Sequence, residues 1–587
     1  MSSAERDIAR LSGLDTQKVL GLLSRRYANA KRQHDQGMKP DQIYTRAGPV
    51  VVALNPFSNK HSAAMAKLYS EETQEVYALV EDFSDLPPHL YEVAAKAYNG
   101  VRKENGRSQA VVINGESGAG KTEAVKIILD YFTKRVASAA GTGRQISELL
   151  LSSSPALEAF GNAKTLRNDN SSRFGKYVRL HFGGASGDGD RGALAFASVE
   201  KYLLETPRVV FQARGEQAYH AFYFLMRGCS DAPLREQCDV GASAASPKAF
   251  STYVRMPEGG GGYDASFQEA DESLTKILLA ADSAREPANF WRVIAGLMHL
   301  GEVRFEAESA DSPRAVVTAA SRASLKKACE LLATWGGTLR QLNEADVDAA
   351  LCVRVIKDPK KHEVKTPRDK AQALKARDAL AKAVYAEVFT ELVSYVNRAL
   401  KPKAAPGAPL ITREKTPITP GTPGKLWRQL SARRPSITRQ TSHARAPPSA
   451  RAADGGEGHR GRTIGLLDIF GSEIFEDNSL SQLLINYAND KLQLYFTDIA
   501  VKAKADAFRV ELDRDMTPDA NQDRLYSSLA MLEGERPRDP HALFCILNDI
   551  QIFEVRHLPS FHGLLPPSLA CVIHLLLSPS LTVCEPL

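Results

Sequence analysis

The octapeptide Gly115-Glu116-Ser117-Gly118-Ala119-Gly120-Lys121-Thr122 constrains this chain more than any other feature, because GxxxxGK[ST] works only as the turn between a strand and a helix. The apolar run 110–113 precedes it, and Val125, Ile128, Leu129 and Phe132 follow at helical spacing. Each residue type has a physical reason. Glycines let backbone N–H groups curl around phosphates, and the helix N-terminus adds positive potential. Lys121 can neutralise the outer phosphates, and the Thr122 hydroxyl can ligate Mg2+. On average composition, a chance match somewhere in a chain of this length has a probability of roughly 2%. A nucleoside triphosphate site is therefore expected, while the motif leaves open which nucleotide binds and what its hydrolysis does.

The chain around the motif can supply a large core. Its 587 residues are 43% apolar and 25% charged, the profile of a soluble globular protein with two to four domains or one assembly around a long sheet. Seven scattered cysteines, with no CxxC pair, suggest neither a disulfide framework nor a zinc site, and a reducing compartment is expected. The N-terminal MSSAERDIAR lacks a signal-peptide core, and no eighteen apolar residues run together. The net charge of +6 would suit an acidic polymer, but its location argues otherwise. Residues 401–463 carry thirteen Lys and Arg against three acidic residues, a net +10, which leaves −4 for the rest. Nucleic acid is thus not an expected partner.

Periodicity divides the chain. Runs 50–54 and 110–113 read as buried strands and 90–98 as a helix, an α/β signature. Runs 177–182 and 193–198 read as strands joined in a hairpin through the Gly-rich 183–192. Apolar residues at three- and four-residue spacing predict helices over 290–300, 325–335 and 371–400. Residues 401–463, with TPITPGTPGK and RRPSITRQTSHAR, have a composition that cannot bury enough surface to order itself. A strand over 463–469 and a helix over 478–496 follow.

Two further segments carry chemistry. Asn168-Asp169-Asn170-Ser171-Ser172-Arg173-Phe174-Gly175-Lys176 is a loop dense in amides and hydroxyls before the strand 177–182. Asp468-Ile469-Phe470-Gly471-Ser472-Glu473 puts an Asp at the carboxyl end of an apolar strand, where nucleotide sites of α/β sheets gather such residues. With the octapeptide, these segments resemble, in order, the phosphate loop, first switch and second switch of the myosin motor domain. The likeness extends to DIARLSGLDTQKVLGLLSRRY, LPPHLYEVAAKAY, VEKYLLETPRVVFQ, RVIAGLMHLGEVRF, ARDALAKAVYAEVF and QLLINYANDKLQLYF, covering roughly residues 7–500 around the insert.

The resemblance implies a phosphate-loop NTPase of the myosin type: an α/β fold with a central mixed sheet flanked by helices and a large, mainly helical subdomain. It implies a nucleotide-binding part over 1–232, a helical upper subdomain over 233–400, the insert 401–463, the second switch and relay helix over 464–553, and a divergent tail over 554–587. ATP and Mg2+ would be the cofactors. Lys121 with Gly115, Glu116, Ser117, Gly118, Ala119 and Gly120 would cradle the β- and γ-phosphates, with Asn168 also touching phosphate. Thr122 and Ser172 would ligate the metal with Asp468 behind them, and Asn55, Pro56 and Tyr69 would line the adenine pocket. Ser171 would place the attacking water, the Gly471 amide would reach the γ-phosphate on closure, and Arg173 would pair with Glu473. On this reading the protein is a cytoplasmic, cytoskeletal ATPase without a coiled coil, and loop 354–367 contacts actin filaments.

Departures set further expectations. Ser58 replaces the basic residue that usually follows Asn-Pro. Ser472 replaces Phe, Ser481 replaces Glu, and His362 stands where an acidic or phosphorylatable residue is usual. Nothing after residue 500 resembles the lower actin-binding helices, one central strand, the converter or the lever, so light chains are not expected partners and a power stroke is in doubt. A non-motile nucleotide-binding scaffold is the alternative.

Overall fold

The computed structural model describes residues 6–8, 16–31, 40–47, 50–57, 63–103, 106–135, 142–183, 192–254, 263–309, 311–340, 342–357, 363–401, 462–473 and 480–497. The insert, apart from its ends, and everything beyond 497 lie outside these residues, as do Ser58 and His362. The chain divides into two compact units: residues 1–99, 110–135 and 466–587 in the first, and residues 100–109 and 136–465 in the second.

In the first unit, β1 (Tyr44–Ala47) and β2 (Val50–Ala53) form an antiparallel hairpin. Helix Glu71–Ala78 starts where Ser70 accepts a hydrogen bond from the Thr73 N–H, with Glu71 and Glu72 favourably placed in its first turn. Buried Arg46 ties β1 to helix Leu90–Arg102 through Glu92 at 2.8 Å, and it also donates to the carbonyl of Leu86. A charge buried this way persists because its donors are matched. Tyr44, Tyr69, Tyr77, His89 and Tyr91 pack ring against ring beside it.

The strand β3 (Gln109–Ile113) leads into the octapeptide and helix Lys121–Arg135. In the second unit, β4 (Asn162–Ala163) pairs antiparallel with β5 (Ser171–Ser172), and β6 (Gly175–Phe182) with β7 (Leu194–Tyr202). The hairpins β8 (Phe305–Ser309) with β9 (Ser312–Val317), and β10 (Val353–Lys357) with β11 (Glu363–Pro367), follow. A four-stranded sheet has the hydrogen-bonded order β3-β12-β6-β7, where β12 is Arg462–Asp468. The chain of both β3 and β12 starts in the second unit and continues into the first.

The core of the second unit is built on helix Pro287–Gly301, whose residues 293–301 are all buried. A helix buried on every side over this length belongs inside a large domain. The thirty-residue helix Lys370–Ala399 is capped by Asp369, which accepts from the Gln372 N–H at 2.8 Å. From that helix, buried Arg377 reaches the carbonyls of Gly301 and Val303, and Tyr385 donates to Phe160 O.

The expected elements form with shifted ends: helix Leu90–Arg102 outruns 90–98, Trp335 lies beyond helix Arg322–Ala333, and the strands of the Gly-rich hairpin are longer than read. One reading is corrected. The runs 50–54 and 110–113 are not buried strands: β2 is half-buried, and in β3 only Val111 is buried while Val112 is 41% exposed. Among the described residues β3 is an edge of its sheet, and an edge strand need not be covered on both faces.

Candidate active site

In the first unit, β3 ends at the octapeptide, whose turn requires Gly118 and Gly120 at φ values of 84° and 92°. Lys121 opens the helix and folds its ammonium back onto the loop, donating to the carbonyls of Gly115 and Glu116 at 2.8 Å each. Burial draws the Lys121 ammonium below its ordinary pKa, while the carboxylates of Asp468, Glu473 and Glu116 pull the other way. Thr122, one residue on, donates its hydroxyl to Asp468 at 2.9 Å. These two residues are 346 positions apart in sequence and were both read as metal-site residues.

Beyond Asp468, Gly471 lies directly on the phosphate loop. A Cβ there would collide with the backbone of Ser117, Glu116 and Gly115. Glu473 is buried, and its own backbone is gripped by a side chain: Asn486 accepts from its N–H at 2.9 Å and donates to its carbonyl at 2.8 Å. Asn489, one turn along helix Leu480–Thr497, donates to the Phe470 carbonyl at 3.0 Å. The segment 470–473 is thus anchored at both ends by one helix.

Asn55 touches the phosphate loop as well, donating to Gly118 O at 2.9 Å while its own oxygen accepts from the Phe57 N–H. Phe57 itself sits in the left-handed region at a φ of 49°, and Pro56 lies between it and Asn55. Tyr69 is held in the aromatic cluster, its hydroxyl 2.7 Å from that of Tyr44.

In the second unit, the loop 168–172 is braced from within. Asn168 accepts from the Asn170 N–H at 3.0 Å, and Ser171 and Ser172 pair with Ala163 and Asn162. Ser171 is buried and accepts from Arg173 at 3.0 Å, while Ser172 is half-buried. Arg173 is fully buried and donates to Glu205 at 2.7 Å; Arg208 meets the same carboxylate. Burial opposes ionisation of Glu205, but the two guanidiniums outweigh it and hold its carboxyl below its usual pKa.

Sequence reading missed Glu205, Asn486 and Asn489. The last two carried a signal, because Gln482, Asn486 and Asn489 put three amides on one face of a helix whose other buried residues, Leu483 and Ile485, are apolar. The loop expected to touch a filament is the exposed hairpin β10–β11, with Val355 and Val364 each 52% exposed. No helix among the described residues is long and apolar enough to cross a membrane.

The head (motor domain) model of the myosins matches residues 5–412 and 452–512. The chain is 35% identical to unconventional myosin-Ic of Mus musculus over 472 residues, covering 80% of this chain and 37% of that protein. It is 32% identical to myosin IE heavy chain of Dictyostelium discoideum, over 80% of this chain and 39% of that one. It is likewise 32% identical to myosin heavy chain IB of Acanthamoeba castellanii, over 93% and 38%. The chain therefore spans less than two fifths of the length of these relatives. Four-fifths of its residues fall within the matched head segments, and the chain belongs to the myosin head family.

Proposed function

We propose that this chain binds ATP with Mg2+ and hydrolyses it as an actin-associated, myosin-type motor segment. The observation that carries the reading is the convergence on one loop of Thr122 bonded to Asp468, Lys121 on the loop carbonyls and Gly471 against the loop backbone. The donors suit the metal: hydroxyls and one carboxylate are hard oxygen ligands, and no group of three or more His, Cys, Asp or Glu stands together among the described residues. Thr122, Ser172 and Asp468 would hold Mg2+, which when bound neutralises phosphate charge. Lys121 and the amides of residues 115–120 bind phosphate, Asn168 adds a contact, and Asn55, Pro56 and Tyr69 face the base. Ser171 orients water, and the Gly471 amide stabilises charge on the outer phosphate. Arg173 and Glu473 pair to exclude bulk water. Filament binding falls to the hairpin β10–β11.

Two measurements test this. Fluorescent ATP should bind the parent chain and lose at least tenfold in affinity with Lys121→Ala. The parent should sediment with actin filaments and leave them when ATP is added. Equal binding by both proteins would overturn the nucleotide site. Nucleotide binding without any sedimentation would favour the non-motile scaffold.

A further inference from the structure

The first-switch loop has a support from outside itself. The side chain of Asn170 projects from the loop and meets three partners at once. Its amide nitrogen donates to Glu158 at 3.1 Å, and its oxygen accepts from Asn162 at 2.9 Å and lies 3.1 Å from His220 Nε2. The carboxylate of Glu158 can only accept, which fixes the amide orientation: nitrogen toward Glu158, oxygen toward the other two. His220 must then carry its proton on Nε2 and donate. Burial holds the imidazole down at about 4, with the Glu158 and Asp169 carboxylates only partly offsetting it, so the ring is a neutral single donor near pH 7.

The ring is itself held. Phe224 stacks on it with centroids 5.6 Å apart and planes 5° from parallel. Phe224 opens a π-helical turn, Phe224–Gly228, directly after the short helix His220–Tyr223. Such turns are uncommon and gather near functional sites. Asn170 carries the restraint back into the loop, because its N–H and carbonyl both bond to the Asn168 side chain.

We infer that His220 is a positioning residue, acting through Asn170 to hold the loop 168–172 in the arrangement that presents Asn168, Ser171 and Ser172 to the nucleotide. The effect on nucleotide rests on the ATP site proposed above; the restraint of the loop does not. The class of ligand served is a metal-chelated polyphosphate, since the restrained groups are amides and hydroxyls.

Hydrogen exchange and binding of fluorescent ATP with Mg2+ test this in the full chain. His220→Ala should speed amide exchange across 168–172 and weaken the Mg-nucleotide about tenfold, with little change in melting midpoint. His220→Gln, which keeps a donor, should recover most of both losses. Glu158→Ala, on the partly exposed face of its helix, should speed exchange in the same segment and tests the Asn170 anchor separately, while His220→Phe, which keeps a ring against Phe224 but donates nothing, should match His220→Ala and decides the matter should that variant fail to fold. Unchanged exchange in these variants, or a Gln variant no better than the Ala variant, overturns the inference. A parent chain that binds no nucleotide overturns the ATP site, while the exchange comparison still decides the role of His220.

Discussion

Gly471 cannot carry a side chain without parting the segment 470–473 from the phosphate loop, since its Cβ would meet the Ser117 nitrogen and the Gly115 oxygen. Gly471→Ala should leave ATP affinity within a few-fold of the parent and lower the hydrolysis rate roughly 10²- to 10³-fold, the usual loss for one oxyanion donor. Single-turnover phosphate release beside equilibrium binding checks this; an unchanged rate would remove Gly471 from the mechanism. The placing of Lys121 and Thr122 at the start of a helix after a glycine turn was legible because GxxxxGK[ST] fixes residue type and spacing, whereas Asp468 was marked only by its place at the end of an apolar strand and by the family resemblance. Glu205 was not, because a buried carboxylate between two arginines is a product of folding that no local pattern announces. It also changes how Arg173 should be tested. Arg173→Glu would press a second carboxylate against Glu205 in a buried place and endanger the fold, so Glu473→Gln is the cleaner probe of the proposed pairing. At the same scale, burial holds His89 down at about 3 against an ordinary 6.5. Between those values the unfolded chain takes up a proton that the folded chain refuses. Stability is thus full above pH 6.5 and falls with acidification by up to about 1.4 kcal/mol per pH unit. Urea melts at pH 7 and 5 should show this loss, and His89→Phe should reduce it.

At the scale of elements, helix Leu480–Thr497 holds the segment 470–473 through two amide side chains rather than through apolar packing alone. Asn486→Ala would leave the buried N–H and carbonyl of Glu473 without that partner, at a cost of about 2 kcal/mol or more. A denaturant midpoint should fall accordingly, and hydrolysis should fall further than ATP binding if, as proposed, the segment the helix anchors serves the outer phosphate. Stability within about 0.5 kcal/mol of the parent would show the clamp to be incidental. Strong periodicity made the helices around 290–300 and 371–400 readable; the first starts earlier, with Pro287 in its first turn, and the second starts at its Asp369 cap. The burial of β3 was not readable, since an apolar run looks the same on an edge as in the middle of a sheet. The hairpin β10–β11 lay between: its charge and exposure were visible, while its register, with Ile356 opposite Val364, depends on the pairing itself.

For the whole molecule, the overall +6 misleads. The +10 of residues 401–463 sits on a chain whose remaining charge is −4, so on the filament-binding reading proposed above the attraction to an acidic filament would come chiefly from that segment. The two contributions respond differently to salt. Attraction by the thirteen Lys and Arg of 401–463 fades as ionic strength rises and the Debye length shrinks from about 10 Å at 0.1 M toward 3 Å at 1 M, whereas contact by the hairpin β10–β11, with fewer charges and the exposed Val355 and Val364, fades less. Replacing residues 402–461 by a short Gly-Ser linker should therefore weaken filament binding at low salt, flatten its salt dependence and leave ATP affinity unchanged. Phosphorylation at Thr416, Thr419, Thr422 and Ser436, each in a kinase-type context, should move the intact chain in the same direction, because each phosphate adds nearly two negative charges to the segment. Co-sedimentation across a salt series compares the three proteins. Coincident curves would assign filament contact to the body alone and leave the basic segment as a connection between strand β12 and the helix before it.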